Sequence, residues 1–439
     1  MKKKVAIDEL TLGMFVRELD RPWTDTPFSF QGFVISSGDE LAIFKKYCKF
    51  VFIDSDKGLD VESALAPLNT PERNKESETA DSAASHAAAK KTSTELRLVR
   101  KVAYKNTVNV ETEITKSGSI RKQAKQVVDN LYSDVKLGNN IDVQGAKAVV
   151  EEIVDSIVRN PDAQLLLTQL KNKDEYTAIH SMNVSILSMA FARHLGMDRD
   201  TICEVGLGAM FHDLGKIKVP LEILNKPSRL TPEEFKEMMA HPVDGWKLLL
   251  EAPDEIPPRV MQVAHSHHER WNGEGYPDGL KEEEIPLFAR IVSIADVYDA
   301  ITSSRVYHHG LSSADAMRSL YDERHVRFDE ALVEQFIECI GIYPIGSMVE
   351  LNSGEVGIII SVNRDRRLKP KVLLILDEKK HVFNMPKILD LSMFDSEKSD
   401  HIVEVRRILD PGTFGIEVAD YLKDLTWVSK NLKAQGSSD

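Results

Sequence analysis

The chain has 439 residues, 42% of them hydrophobic and 28% charged, an ordinary globular balance with room for two or three domains and a sizeable core. Its net charge of -13 excludes general binding to nucleic acid, because neutralising phosphates needs a basic field; no DNA partner is expected, and any anionic ligand must be held by local charge. Cys48, Cys203 and Cys339 share no CxxC spacing and read as buried thiols of a reducing compartment.

The first ten residues are basic but run into Ala6, Ile7, Asp8 and Glu9, without the apolar run of a signal peptide. No apolar stretch approaches the roughly 18 to 20 residues that span a bilayer, so a cytoplasmic protein without membrane insertion is expected. Short apolar pieces at 14–16, 32–35 and 50–53, broken by Gly, Pro and Asp, predict a small strand-rich domain over residues 1–66. Residues 67–94 have the composition of a flexible linker, with Pro67 and Pro71 among Asn, Glu, Ser, Thr and Ala. A connecting helical segment follows over 95–141, interrupted around 107–118, with Val127, Val128 and Leu131 on one side of its later piece.

Helical spacing dominates residues 142–342. Thr231, Pro232 and Glu234 form a capping box with proline at the first helical position, predicting a helix with Phe235, Met238 and Met239 on its inner face and His241 riding on it. Residues 289–301 are a strongly apolar helix bearing Asp296, and 314–320 and 331–340 are amphipathic. Beyond Gly341, β-branched runs at 348–351, 356–362, 371–376 and 381–383 predict a small β-rich appendage and tail over 343–439. The fold class is mainly α: an all-helical bundle with a strand-rich N-terminal domain and a β-rich C-terminal appendage.

Seven metal-capable side chains lie between residues 180 and 296: His180, the adjacent His212 and Asp213, His241, His267, His268 and Asp296. Imidazole nitrogen and carboxylate oxygen together suit a first-row transition metal, and an aspartate can bridge two ions. Two ions about 3.5 to 4 Å apart clamp a phosphodiester and acidify a bridging water. Any one of these histidines alone is more often a surface or satisfied core residue, so the weight lies in their joint occurrence. Adjacent helical residues diverge by about 100°, so His212 and Asp213 serve one site only through different partners or ions. Gly215 offers a C-terminal helix stop, and Lys216 beyond it can reach a phosphate oxygen; the plain alternative is a solvent-facing lysine.

His212-Asp213 with Gly215-Lys216, then His267-His268-Glu269 and the run Asn272-Gly273-Glu274-Gly275-Tyr276-Pro277-Asp278-Gly279, resembles the HD-GYP branch of the HD metal-dependent phosphohydrolases. The match covers roughly residues 170–342, including Leu224-Asn225-Lys226-Pro227, 285–299 and Phe328-Asp329. The front segment resembles a domain often found before HD-GYP modules, whose function is not established. The resemblance implies an HD-type bundle that hydrolyses cyclic dinucleotides, chiefly cyclic di-GMP, to linear pGpG or, after a second cut, GMP, lowering second-messenger signalling.

It further implies two divalent ions, iron or manganese, with His180, His212, Asp213 and Asp296 around one and Asp213, His241, His267 and His268 around the other. Asp213 and Lys216 take catalytic roles, Lys216 and Arg305 hold phosphate, and Gly275, Tyr276 and Pro277 border the substrate. Tyr276 either stacks on a guanine or packs. The Gly-Tyr-Pro loop and the N-terminal domain are the expected places for a signalling-protein partner, and a homodimer is compatible with the chain.

Three departures stand out. Tyr176 occupies the position where some family members place a glutamate for a third metal, and Glu175 is rotated from His180 by about 140° on a helix, so two ions are expected. His308 and His309 replace a basic residue after Arg305 and Tyr307, and a largely neutral imidazole is a poorer phosphate partner. His265 lies off the ligand face of its helix. The competing readings are a 3',3'-cyclic GMP-AMP phosphodiesterase, a mononucleotide or alarmone hydrolase, and a non-catalytic cyclic-dinucleotide receptor. The filled ligand set disfavours the last, since so many costly ionisable groups have no physical reason to sit together without chemistry to perform.

Overall fold

The computed structural model describes residues 2–20, 33–35, 38–55, 102–170, 176–252, 256–303, 310–394, 403–423 and 427–428. The linker expected over 67–94, Glu175, and Arg305, His308 and His309 lie outside the described residues. The chain divides into two compact units, one of Met1–Ala87 with Ile340–Ile416 and one of Ala88–Cys339 with Glu417–Asp439.

The first unit holds two antiparallel sheets. Strands β1 (Lys2–Ala6), β2 (Phe15–Leu19), β3 (Phe33–Val34) and β4 (Phe50–Asp54) pair in the order β1-β4-β2-β3. Val5 opposite Val51 and Lys3 opposite Ile53 set the register, and Val5, Val51 and Ile53 are fully buried. A helix not expected from the sequence, Gly38–Tyr47, leads into β4 and buries Phe44. The second sheet is β8-β7-β6-β5-β9, built from β5 (Met348–Leu351), β6 (Val356–Ser361), β7 (Lys371–Leu376), β8 (Val382–Asp390) and β9 (Val405–Leu409). The central strands β6 and β7 are almost wholly buried, as their unbroken Val, Ile and Leu runs require. β8 runs well beyond the expected 381–383; Pro386 inside it is tolerated because β8 is an edge strand.

The second unit is helical. Its first helix among the described residues, Val110–Lys136, is continuous, so the interruption expected around 107–118 ends before Val110. Its buried stripe passes through Ser117, whose hydroxyl meets that of Ser156 at 3.0 Å, and polar pairing replaces the apolar side chain that the periodicity lacked. Helix starts follow side-chain caps: Asp142, Asn160 and Asp198 accept from the backbone amides of Gly145, Asp162 and Thr201. Two helices, Tyr176–His194 and Leu287–Thr302, pack against each other and are buried almost all round, as expected for bundle centres. Both carry ionisable groups in that apolar setting.

The capping box at Thr231 and Glu234 is present, but the helix it opens spans only Pro232–Met238. Phe235 is 48% exposed and neither Met238 nor Met239 is buried, so the expected inner face is not one. His241 instead begins the next helix, His241–Leu250. Among the described residues no helix is long and apolar enough to cross a membrane. The three cysteines are free; Cys48 and Cys339 are buried, whereas Cys203 is half-exposed, with burial pushing its thiol up to about 11.

Candidate metal centre

Three helices, Arg199–Phe211, Pro232–Met238 and Pro258–Ser266, end at the same place, and each leaves last-turn carbonyls without helical partners. A histidine caps each of them. Nδ1 of His212 donates to the Ala209 carbonyl at 2.7 Å, Nδ1 of His241 to Met238 at 2.7 Å, and Nδ1 of His267 to Val263 and Ala264 at 3.1 and 3.0 Å. A ring nitrogen facing a carbonyl must carry the proton, so the lone pair of each imidazole is on Nε2. These Nε2 atoms turn inward, towards Asp213.

The fourth imidazole comes from the middle of the Tyr176–His194 helix. Nδ1 of His180 donates to Oδ2 of Asp299 at 2.8 Å, while its Nε2 lies 3.0 Å from Oδ1 of Asp296. Asp296 and Asp299 sit three residues apart on the Leu287–Thr302 helix, hence on one face.

Asp213 occupies the centre and is 1% exposed. The helix ends at Phe211, and Asp213 has already left it at φ -100° and ψ 7°, which lets adjacent His212 and Asp213 point into one site. Gly215 is therefore not the helix stop; it lies in the 3-10 turn Leu214–Lys218. A Cβ there would stand 1.9 Å from the His241 carbonyl oxygen and 2.5 Å from the Gly245 nitrogen, so Gly215 is where the His241 helix presses backbone to backbone. Oδ2 of Asp213 faces His212 and His180, with Nε2 atoms at 3.3 and 3.8 Å, and Oδ1 faces His241 and His267 at 3.4 and 3.8 Å.

Two clusters with potential ligand atoms within 4.8 Å of one another result, Asp213 with His241, His267 and His268, and His180 with His212 and Asp213. Asp296 joins the second through its contact with His180 and lies 3.9 Å from Nε2 of His212. His268 packs its ring against those of His267 and His241, at centroid distances of 4.1 and 4.9 Å.

The residues fit a pair of cations. His212 Nε2 and Asp213 Oδ1 are buried without a hydrogen-bond partner, although unsatisfied polar atoms are costly in a protein interior. Three helix C-termini converge here, and their partial negative charge favours a cation. Burial holds His241 down at about 4, His268 at about 3 and His267 well below the ordinary imidazole value, so all three are neutral and able to donate a lone pair. His180 differs: burial pushes it down, but hydrogen bonds to Asp296 and Asp299 prevail and raise it to about 9. Burial likewise pushes Asp213 and Asp296 up, but the histidines and, for Asp213, Lys216 hold both carboxyls far below the usual range.

Of the other expected residues, Lys216 reaches Asp213, with Nζ 2.6 Å from Oδ2. Gly275, Tyr276 and Pro277 form the neighbouring loop, and the Tyr276 ring lies 4.8 Å from that of His268, which is packing against the site. His265 turns away, to Trp246 and Asp278. Arg305 is not among the described residues.

The roles of Glu269, Asp299 and Asn183 escaped the sequence reading. Glu269, 4% exposed, accepts from the amides of Asp278 and Leu280 at 2.7 and 3.0 Å and so fixes the Gly-Tyr-Pro loop. A Cβ on Gly275 would meet the Arg270 nitrogen at 2.3 Å, which keeps that loop against residues 269–270. Asp299 and Asn183 complete the set; each lies three residues beyond a recognised ligand, Asp296 and His180, and that helical spacing was the available signal.

Residues 164–332 match the HD domain, residues 2–146 a domain of unknown function (DUF3391), and residues 348–405 a KOW domain associated with the HD domain. A cyclic di-GMP phosphodiesterase of Pseudomonas aeruginosa is 35% identical over 400 residues, 89% of each chain. A cyclic di-GMP phosphodiesterase of Thermotoga maritima is 38% identical over 38% of this chain and 45% of its own. A 3'3'-cGAMP-specific phosphodiesterase of Vibrio cholerae is 33% identical over 40% of this chain and 39% of its own.

Proposed function

Since this chain belongs to the HD-GYP family of HD-domain cyclic di-GMP phosphodiesterases, we infer that the Asp213-centred cluster is where it cuts its substrate. The protein is a metal-dependent phosphodiesterase that hydrolyses cyclic di-GMP. The observation that carries the assignment of the site is the convergence of four imidazole Nε2 atoms on the two carboxylate oxygens of Asp213. In this reading His180, His212, Asp213 and Asp296 hold one ion, and Asp213, His241, His267 and His268 hold the other.

Such ions, when bound, supply Lewis-acid charge against a phosphoryl oxygen and acidify a water. The chain's own residues do the rest. The carbonyl-anchored histidines arrive with their lone pairs already aimed, so little reorganisation is needed. Lys216, whose ammonium stands at Oδ2 of Asp213, is placed to donate to a phosphate oxygen as charge builds there. Arg305 is assigned a bidentate hold on phosphate. Tyr276 forms the wall beside His268 and, with Gly275 and Pro277, borders the dinucleotide.

Iron or manganese is proposed from membership of the family, and the donor set of imidazole and carboxylate is compatible with either, as it is with zinc or nickel. The product is linear pGpG, with GMP following a second cut. Three free thiols favour the cytoplasm. Exposed Glu274, Asp278 and Gly279 leave the Gly-Tyr-Pro loop open to a signalling protein. Residues 142–342 are taken as the hydrolase domain. A 3',3'-cyclic GMP-AMP preference is the second reading, and the likeness to such a relative reaches less than half of the chain.

The test is anaerobic purification, metal analysis, and chromatography of cyclic di-GMP and 3',3'-cyclic GMP-AMP incubated with iron or manganese. About two metals per chain and a linear product from cyclic di-GMP are expected. Full metal occupancy with tight binding and no product would make the protein a receptor.

A further inference from the structure

The Val110–Lys136 helix lies outside the HD match at 164–332, yet two of its side chains hold residues that flank His180. Tyr132 shares a hydrogen bond of 2.9 Å with Ser181. Arg121, 7% exposed, donates from one guanidinium nitrogen to Oδ1 of Asn183 at 3.1 Å and from the other to the Leu170 carbonyl at 3.0 Å. Asn183 is fully buried and donates from Nδ2 to Oδ1 of Asp299 at 3.1 Å. Asp299 in turn accepts the Nδ1 proton of His180 at 2.8 Å.

The order of donors along this path is set at both ends, by a guanidinium that donates to the Asn183 oxygen and by the Asp299 carboxylate and Thr168 carbonyl that accept from its nitrogen. A guanidinium can only donate, so Asn183 must turn its carbonyl oxygen to Arg121 and its amide nitrogen to Asp299. Asp299 then meets a donor on that side and accepts the Nδ1 proton of His180, which keeps Nε2 as the His180 atom facing Asp296 and Asp213. Without Arg121 the buried Asn183 oxygen loses its donor, and the amide is held only through Nδ2, by Asp299 and, at 3.3 Å, by the Thr168 carbonyl, which gives it room to shift and loosens the hold of Asp299 on the imidazole.

We propose that Arg121 is a positioning residue for His180, anchoring Asn183 and through it Asp299, and with them the affinity for the divalent ion on the His180 side. The hydrolase therefore depends on a helix upstream of the HD segment. This rests on the reading of His180 as a ligand.

The experiment uses the full chain and manganese(II), with free ion followed by electron paramagnetic resonance, and compares Arg121→Met, Arg121→Lys and Arg193→Met. Wild type should bind two ions. Arg121→Met should keep the His241-side ion at wild-type affinity and weaken the other by roughly 10- to 100-fold, with part of the loss recovered in Arg121→Lys. Arg193, also buried but bonded to Asn106 and the Val158 carbonyl, is the control; its loss should lower the melting temperature and leave both affinities alone. Two ions at wild-type affinity in Arg121→Met overturn the proposal. Should that variant fail to fold, Asn183→Ala decides: selective loss of one ion supports the role and unchanged binding overturns it. A wild-type chain that binds no ion overturns the ligand assignment itself, and the positioning role with it.

Discussion

The ammonium of Lys216 lies 2.6 Å from Oδ2 of Asp213, on the side of the carboxylate that also faces His180 and His212. This ion pair is 22% and 2% exposed at its two side chains, so it is little screened. Lys216 is thus a resident cation beside the very oxygen assigned to a divalent ion.

Replacing Lys216 by Ala removes that competing charge. Manganese(II) should therefore bind at least as tightly as in wild type, with two ions per chain, while turnover of cyclic di-GMP falls by about 100- to 1,000-fold, as when one donor to a developing oxyanion is lost. Chelator competition and single-turnover rates measure the two quantities on one sample. Loss of metal together with rate would make Lys216 a structural support of Asp213 instead.

Asp213 divides its oxygens between two histidine pairs, whereas His268 belongs to one cluster. Asp213→Ala should abolish both metal occupancy and turnover, and His268→Ala should leave about one ion per chain. Elemental analysis after gel filtration separates these outcomes. Normal turnover by a metal-free Asp213→Ala chain would sink the metal mechanism.

The seven metal-capable residues were legible because unpaired imidazoles and carboxylates are expensive inside a protein and so mark themselves in an otherwise apolar stretch. Asp299 and Asn183 were within reach of the same logic, one helical step from Asp296 and His180. Arg121 was not: it is 62 residues from Asn183, and although its spacing from Ile114, Ala124 and Val128 puts it on the buried stripe of its helix, that spacing names no partner. Phe235 was misplaced because a two-turn helix has too few residues for a spacing rule to choose a face. The strand pattern at 348–351 and 371–376 was read correctly because buried β-branched runs leave no competing period.

Gly215 has a sharper role than a helix stop. Adding a methyl group there places it 1.9 Å from the His241 carbonyl, and a backbone atom cannot rotate away. Gly215→Ala should cost about 1 to 3 kcal/mol of stability and selectively weaken the ion held by His241, His267 and His268. Thermal melting with and without manganese(II) tests both parts; a destabilised variant that still binds two ions normally would separate the helix contact from the site.

The two ends of the cluster should respond differently to pH. His180 is raised from its ordinary value to about 9, so at neutral pH its Nε2 is protonated and a divalent ion must displace that proton. Affinity on this side should rise as pH increases, by up to tenfold per unit, and level off near pH 9. His241 and His268, held at about 4 and about 3, have already lost their protons by pH 5, so the other ion should bind with little pH dependence above that. Calorimetric titration with manganese(II) in buffers of different ionisation enthalpy counts the protons released. Near pH 7, about one proton is expected for one ion and none for the other.

Glu269 acts on the loop and not on the ions. Its buried carboxylate accepts the amides of Asp278 and Leu280, and burial raises its pKa even though those hydrogen bonds pull it down. In Glu269→Ala both amides lose their acceptor, and the loop carrying Tyr276 loses its anchor next to His268. Metal content should be unchanged, KM for cyclic di-GMP should rise about tenfold or more, and the 272–280 segment should become a site of proteolytic cleavage. Because Glu269 follows His267 and His268 directly, its sequence position alone suggests a further ligand. The structure turns its oxygens to the loop amides instead, and a Glu269→Ala variant that lost an ion while keeping an intact, protease-resistant loop would reverse that assignment.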